Sequence, residues 1–200
     1  MKLQGITFKG PAADPQLLEA LPASYKGRLA QLNGFVAFNG GLHIRGACSE
    51  PSWHSLKLAV SGTESIQQLF SSVFPDDIPF GQDCMGDQYL LRNGIVHKLY
   101  GETAEIESLE LKLSEFFSRV EDDPIGYLGL EPLLQFQKDG GVLEPGQLLN
   151  AYPPFVFKES ANGVSLKAVP VAEQLRFLSD LAKQLASLPE GQAVQIKVVP

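Results

Sequence analysis

Residues 88–100 read Gln-Tyr-Leu-Leu-Arg-Asn-Gly-Ile-Val-His-Lys-Leu-Tyr. Asn93-Gly94 readily supplies the two positive φ angles of a type I′ turn, and a strand-like run lies on either side, Gln88–Arg92 and Ile95–Tyr100. The stretch therefore predicts a β-hairpin. On its N-terminal side, Phe80 follows the Pro75 to Pro79 break, and a polar turn from Gln82 to Asp87 leads into the first strand. On its C-terminal side, Ile106, Ser108 and their neighbours read as one more strand. Ser114 then caps a helix whose buried face is Phe116, Phe117 and Val120 and which stops before Asp122-Asp123-Pro124.

Further upstream the pattern becomes helical. Asp14 can cap a helix, Pro15 suits its first position, and Leu17, Leu18 and Leu21 share a face. Pro22 breaks that run, and Tyr25, Leu29 and Leu32 restart the period until Asn33-Gly34, so two short helices are expected. Phe35 to Phe38 reads as a short strand or strand-like link, Asn39-Gly40-Gly41 as a tight turn, and Leu42–Arg45, alternating apolar and polar, as a half-buried strand; His43, like His97, takes a solvent-facing position. Ser61 with Glu64 gives a capping-box pattern ahead of Ile66, Leu69, Phe70 and Val73.

Beyond Pro124 the chain looks like an annex. Leu130 to Gln137 is weakly helical, and the stretch punctuated by Pro145-Gly146 and Pro153-Pro154 reads as loop. Val164, Leu166 and Ala168 alternate as a strand. Val171, Leu175, Leu178, Ala182, Leu185 and Leu188 keep a helical period, and Val194, Ile196 and Val198 alternate again. A C-terminal strand–helix–strand extension of the sheet is expected, too small to hold a core alone and so packed on the first domain.

The chain has 200 residues, 44% apolar and 20% charged, with 19 Gly and 14 Pro, which favours a turn-rich mixed fold over a helical bundle. Its net charge is −7, and it is unevenly spread. Residues 74–123 carry twelve acidic and four basic side chains, against four acidic and six basic in residues 1–73. Such a field repels nucleic acid and anionic lipid and attracts basic protein surfaces. The bland alternative is a solvated acidic face that keeps the protein in solution. No run approaches the roughly 20 apolar residues that span a bilayer, and MKLQGITFKG lacks a secretory h-region. Cys48 and Cys84 form no spaced framework, which suits a reduced cytoplasm.

Catalytic equipment is not legible. His43, His54 and His97 have no partner at zinc-ligand spacing, and no metal or other cofactor is expected. Asp83-Cys84-Met85-Gly86-Asp87 lacks the further ligands of a calcium loop and reads as a turn stabilised by Asp side chains. Cys84 with His97 lacks a third group and an oxyanion motif. No phosphate-binding glycine motif is present, and basic residues are scattered rather than clustered with aromatics. Trp53, the sole tryptophan, is an interface anchor or a core-edge residue.

Several fragments, taken in order, resemble the SUKH superfamily, which joins yeast cell-wall-synthesis regulators of the Smi/Knr type with many bacterial proteins. They are Leu21-Pro22 with Tyr25, the helix ending in Asn33-Gly34-Phe35, and the strand Leu42–Arg45 followed by Trp53. Ile78-Pro79-Phe80-Gly81-Gln82-Asp83 with Gly86-Asp87-Gln88-Tyr89 comes next, then a Val96-centred strand and Ser114-Glu115-Phe116-Phe117. The resemblance covers residues 14–123, with Gly81 where the family usually has Ala, and residues 124–200 fall outside it.

The resemblance implies an α+β domain over residues 1–123, with a mostly antiparallel sheet flanked by helices, and no catalysis. Pro79, Phe80, Asp83 and Gly86 would form a structural corner. Bacterial members are similar to immunity proteins that neutralise toxins, often nucleases; yeast-type members are regulatory interaction proteins. Two functions are therefore expected, with an enzyme as a third and weaker reading. The first is an immunity-type module whose acidic section meets a basic toxin domain, with Asp76, Asp77, Glu102, Glu105 and Glu107 exposed and Trp53 as an anchor. The second is a regulatory scaffold whose partner surface lies on the annex, residues 124–200.

Overall fold

A computed structural model describes residues 3–188. Its centre is a seven-stranded sheet in which every neighbouring pair is antiparallel and the strand order follows the chain. The strands are β1 (Phe8–Lys9), β2 (Phe35–Ala37), β3 (Leu42–Ile44), β4 (Ile78–Asp83), β5 (Gln88–Arg92), β6 (Ile95–Leu99) and β7 (Ile106–Lys112). The β5–β6 hairpin closes on Asn93 and Gly94, both at positive φ (51° and 80°), and pairs Arg92 with Ile95. The short β1 carries too few residues to show a period, and nothing in the sequence announces it.

Helices cover both faces. One face carries α2 (Ala23–Leu29), α5 (Leu113–Asp122), α6 (Pro124–Leu128) and α7 (Glu131–Lys138), which follow the short α1 (Pro15–Glu19) in the first half and β7 in the second. Tyr25, Leu29, Phe80, Tyr89, Leu91, Val96, Phe116 and Phe117 form its core together with Leu128, Leu133, Leu143 and Leu149. The other face carries α4 (Ile66–Leu69) and α8 (Val171–Ala186). There Ile66, Phe70, Leu90 and Leu99 meet Leu148, Val171, Leu175 and Leu178. Because Leu90 belongs to one core and its neighbours Tyr89 and Leu91 to the other, β5 reads as a continuous apolar run rather than an alternating one.

Residues 124–188 thus supply side chains to both cores. A second, two-stranded sheet pairs β8 (Gln147–Tyr152) with β9 (Ser165–Pro170). It is tied to the main body by the Leu149 N–H, which donates to the Cys84 carbonyl at 2.8 Å. The extension differs from expectation here: the strand before α8 pairs with β8, not with the main sheet. The alternating segment Val194–Val198 lies outside the described residues.

Four local expectations are corrected. His43 is buried, because Trp53 and the segment entering β8 cover the face that the alternation assigned to water, and Arg45, one residue past β3, is buried beside Trp53 and α8. Ser61 does not open a helix but ends α3 (Leu56–Ser61), whose cap is Ser55; Ser65 precedes α4. The helix α5 begins at Leu113, and its Glu115 carboxylate accepts the Lys112 N–H at 2.7 Å, so Ser114 is not its cap. Finally, Gln147–Tyr152 is a strand although proline and glycine punctuate both its ends. The expected caps at Asp14 and the buried face of α5 are present.

Candidate protein-binding face

The corner from Pro79 to Gly86 positions the site. Pro79 has no N–H to give a ladder, and the β4–β5 register shifts by one residue between Pro79 and Gly81, leaving Phe80 to plunge into the core. Asp83 Oδ1 accepts the N–H groups of Met85, Gly86 and Asp87 at 3.0, 3.1 and 3.1 Å. Gly86 sits at φ 101°, and a Cβ there would stand 2.8 Å from Leu178 Cδ1 of α8. Lys98 Nζ lies 3.3 Å from Asp83 Oδ2 and 2.9 Å from Asp87 Oδ2. Burial and the neighbouring Asp87 push the Asp83 carboxyl up to about 7, while Lys98 and the turn amides pull it back. Burial alone would lower Lys98, yet the two carboxylates outweigh it and hold the ammonium above its ordinary value.

Beside this corner runs a groove of about 340 Å³ lined by Asp87, Tyr100, Glu102, Glu105, Phe155 and Val156, among others. The β6–β7 turn builds one wall: the Tyr100 N–H donates to the Glu105 carbonyl at 2.9 Å and the Ala104 N–H to the Tyr100 carbonyl at 2.8 Å. The Glu102 carboxylate crosses to the opposite wall, accepting the Phe155 and Val156 N–H groups at 2.9 and 2.6 Å. Burial raises the Glu102 carboxyl, and those two amides oppose the rise. The Tyr100 hydroxyl donates to Glu107 at 2.5 Å. Glu105 and Glu107 are exposed, and Phe155 and Val156 leave 45% and 40% of their surface in water.

Of the six residues expected at a partner surface, three come together here. Glu102, Glu105 and Glu107 share the groove and its rim, although Glu102 is half-buried and spends its carboxylate on the chain. Asp77 was expected exposed and is 1% exposed. Its oxygens accept Arg92 Nε and Nη2 at 2.7 and 2.6 Å, and Oδ2 also takes the Phe74 N–H at 2.8 Å. That bidentate pair sits at the Arg92 end of the hairpin, the end opposite Leu99, so Asp77 fastens a turn instead of facing a partner. Asp76 is exposed in the same turn and stands apart from the groove. Trp53 is half-buried, with its ring centroid 4.8 Å from Phe8 and 5.1 Å from His43, while a Cβ on Gly146 would lie 3.0 Å from its Nε1. It serves as a core-edge residue.

Phe155 and Val156 were not anticipated. Their signal is an apolar pair inside a proline-punctuated loop, where burial in a strand or helix was not on offer. Among the described residues no group of three or more His, Cys, Asp or Glu is placed to hold a metal ion. The Cys84 thiol is buried and, by that burial, pushed well up, which makes it a poor nucleophile. No described helix is long and apolar enough to cross a membrane. The chain matches no family model and no curated protein.

Proposed function

We propose that this protein is a non-enzymatic binding module that engages a basic protein surface, as an immunity-type protein does when it occludes a toxin, nucleases being one such class. One observation carries the reading: Glu102, Glu105 and Glu107 gather at a groove whose far wall exposes Phe155 and Val156. An acidic rim steers a basic partner and sets its orientation, and an apolar centre supplies the contact area. A nuclease face is basic because it holds phosphates, so it offers the complementary charge. The ordered resemblance to the SUKH superfamily supports the same reading, and the proposal places the protein in the cytoplasm, where such a toxin would act.

The test replaces Glu105 and Glu107 with Ser and leaves Glu102, which ties the groove walls together. The partner is first captured from the native cell, with any toxin encoded beside this gene as the leading candidate. Association of the double variant is then expected to slow by about tenfold at low ionic strength and to lose much of its salt dependence. Unchanged association and unchanged salt dependence would remove the acidic groove from the account.

A further inference from the structure

Arg45 is the least ordinary residue of the protein. It is 2% exposed, and among the described residues no carboxylate lies within ion-pair distance of it. Buried cations are normally matched by an anion. This one is held by neutral acceptors only. Nη1 donates to the Pro79 carbonyl at 2.8 Å and more weakly to Gly81 at 3.4 Å, and Nη2 donates to Gln82 Oε1 and Gln88 Oε1, both at 2.7 Å. Four of the five N–H bonds of a guanidinium are thereby spent, and Nε has no acceptor among the described residues. Burial lowers the guanidinium to about 10, which leaves it charged at neutral pH.

Arg45 also lines a cavity of about 210 Å³ between the α3–α4 segment and α8. Most of the remaining wall is apolar, with Leu58, Ile66, Leu69, Val171 and Leu175, and Trp53 closes one side. At its edge Glu64 is matched by Arg176, whose Nε lies 3.3 Å away, so the acid at the mouth is already paired. The cavity therefore joins an uncompensated cation to a greasy wall. Its volume falls below the ordinary range for drug-sized ligands. One spare guanidinium N–H, with the Ser52 and Thr63 hydroxyls elsewhere on the wall, suits a singly charged oxyanion better than a phosphate, which has more charge to solvate.

We propose that this cavity is a binding site for a small monocarboxylate with an apolar body, the carboxylate facing Arg45 and the body lying against Leu58, Ile66 and Leu175. The site is separate from the acidic groove and does not depend on the function proposed for it.

Trp53 is the sole tryptophan and lines the cavity, so its fluorescence reports occupancy directly. Sodium hexanoate, hexanamide and inorganic phosphate would each be titrated into the full chain at neutral pH and constant ionic strength. A saturable change with hexanoate, at least tenfold weaker with hexanamide and absent with phosphate, is the expected result. Equal responses to hexanoate and hexanamide, a matching response to phosphate, or no saturable response to hexanoate would each overturn the proposal. Arg45→Met is expected to abolish the hexanoate response but can also unfold the chain. Ala172→Phe serves as the second variant, because Ala172 is an exposed residue of the cavity wall and a phenyl ring there fills the space. It should retain the native circular dichroism and lose hexanoate binding; unchanged binding by that variant would equally sink the site.

Discussion

His54 and His43 form a short relay beneath Trp53. His54 Nε2 must donate to the Asn33 carbonyl 3.0 Å away, because a carbonyl only accepts. Kept neutral by burial, the ring presents Nδ1 as the acceptor for the His43 Nε2–H, 2.9 Å distant. Burial lowers the two imidazoles, His43 well below its usual value, and the Arg45 guanidinium lowers them further. A depressed imidazole favours the fold above its unfolded value of about 6.5, and the advantage fades as pH falls toward the folded value. Each ring kept neutral costs up to about 1.4 kcal/mol for every pH unit below 6.5. The raised Asp83 carboxyl works in the opposite sense over the same range, so the relay is read by difference: the urea midpoint of the wild type relative to that of His43→Asn should fall between pH 7.5 and pH 5.5, and a pH-independent difference would contradict the buried neutral pair. Asp83 was readable from sequence because an Asx turn is a local object. His43 and Arg45 were not, since alternation records which side chains share a face and says nothing of what a distant segment lays over it.

Among the elements, α8 decides whether the second face stays dry. Its buried positions, Val171, Gln174, Leu175, Leu178, Ser179, Leu181 and Ala182, follow the helical period that the sequence displays plainly. What the sequence hides is their counterpart. Leu178 packs with Leu90, Leu99 and Leu148 and abuts Gly86, and the Gln174 amide donates to the Met85 carbonyl at 3.2 Å. Leu178→Ala should cost about 2–5 kcal/mol in chemical denaturation, a cavity-forming loss at a site 3% exposed. A loss under 1 kcal/mol would show that α8 is loosely laid on the sheet. The strand β8 escaped the sequence reading for a different reason. Its six residues lie between two turn signals, and its partner β9 follows only after a long intervening loop, so no short hairpin marker betrays the pair.

For the molecule as a whole, the antiparallel sheet with flanking helices was legible because its hairpins carry local turn chemistry. The role of residues 124–188 was not. Resemblance stops at residue 123, whereas Leu128, Leu133, Leu143 and Leu149 complete one core and Leu148, Val171, Leu175 and Leu178 the other. Truncation after residue 123 should therefore expose apolar surface on both faces and leave a species without a cooperative thermal transition, measured by calorimetry. A truncated chain with a sharp transition would restore the picture of a detachable scaffold surface. The acidic groove would vanish in the same experiment, because its far wall, Phe155 and Val156, belongs to the removed part.

The strand order bears on how the chain assembles. Strands of the large sheet pair only with their neighbours in sequence; β2–β3 and β4 to β7 close over short turns at small entropic cost, whereas helices intervene between β1 and β2 and between β3 and β4. During synthesis the strand-forming segment is complete before residues 124–188, which finish both cores, have been made. Until those residues arrive, both sides of the nascent sheet lack part of their cover, and the side that α8 will close holds the buried cation Arg45.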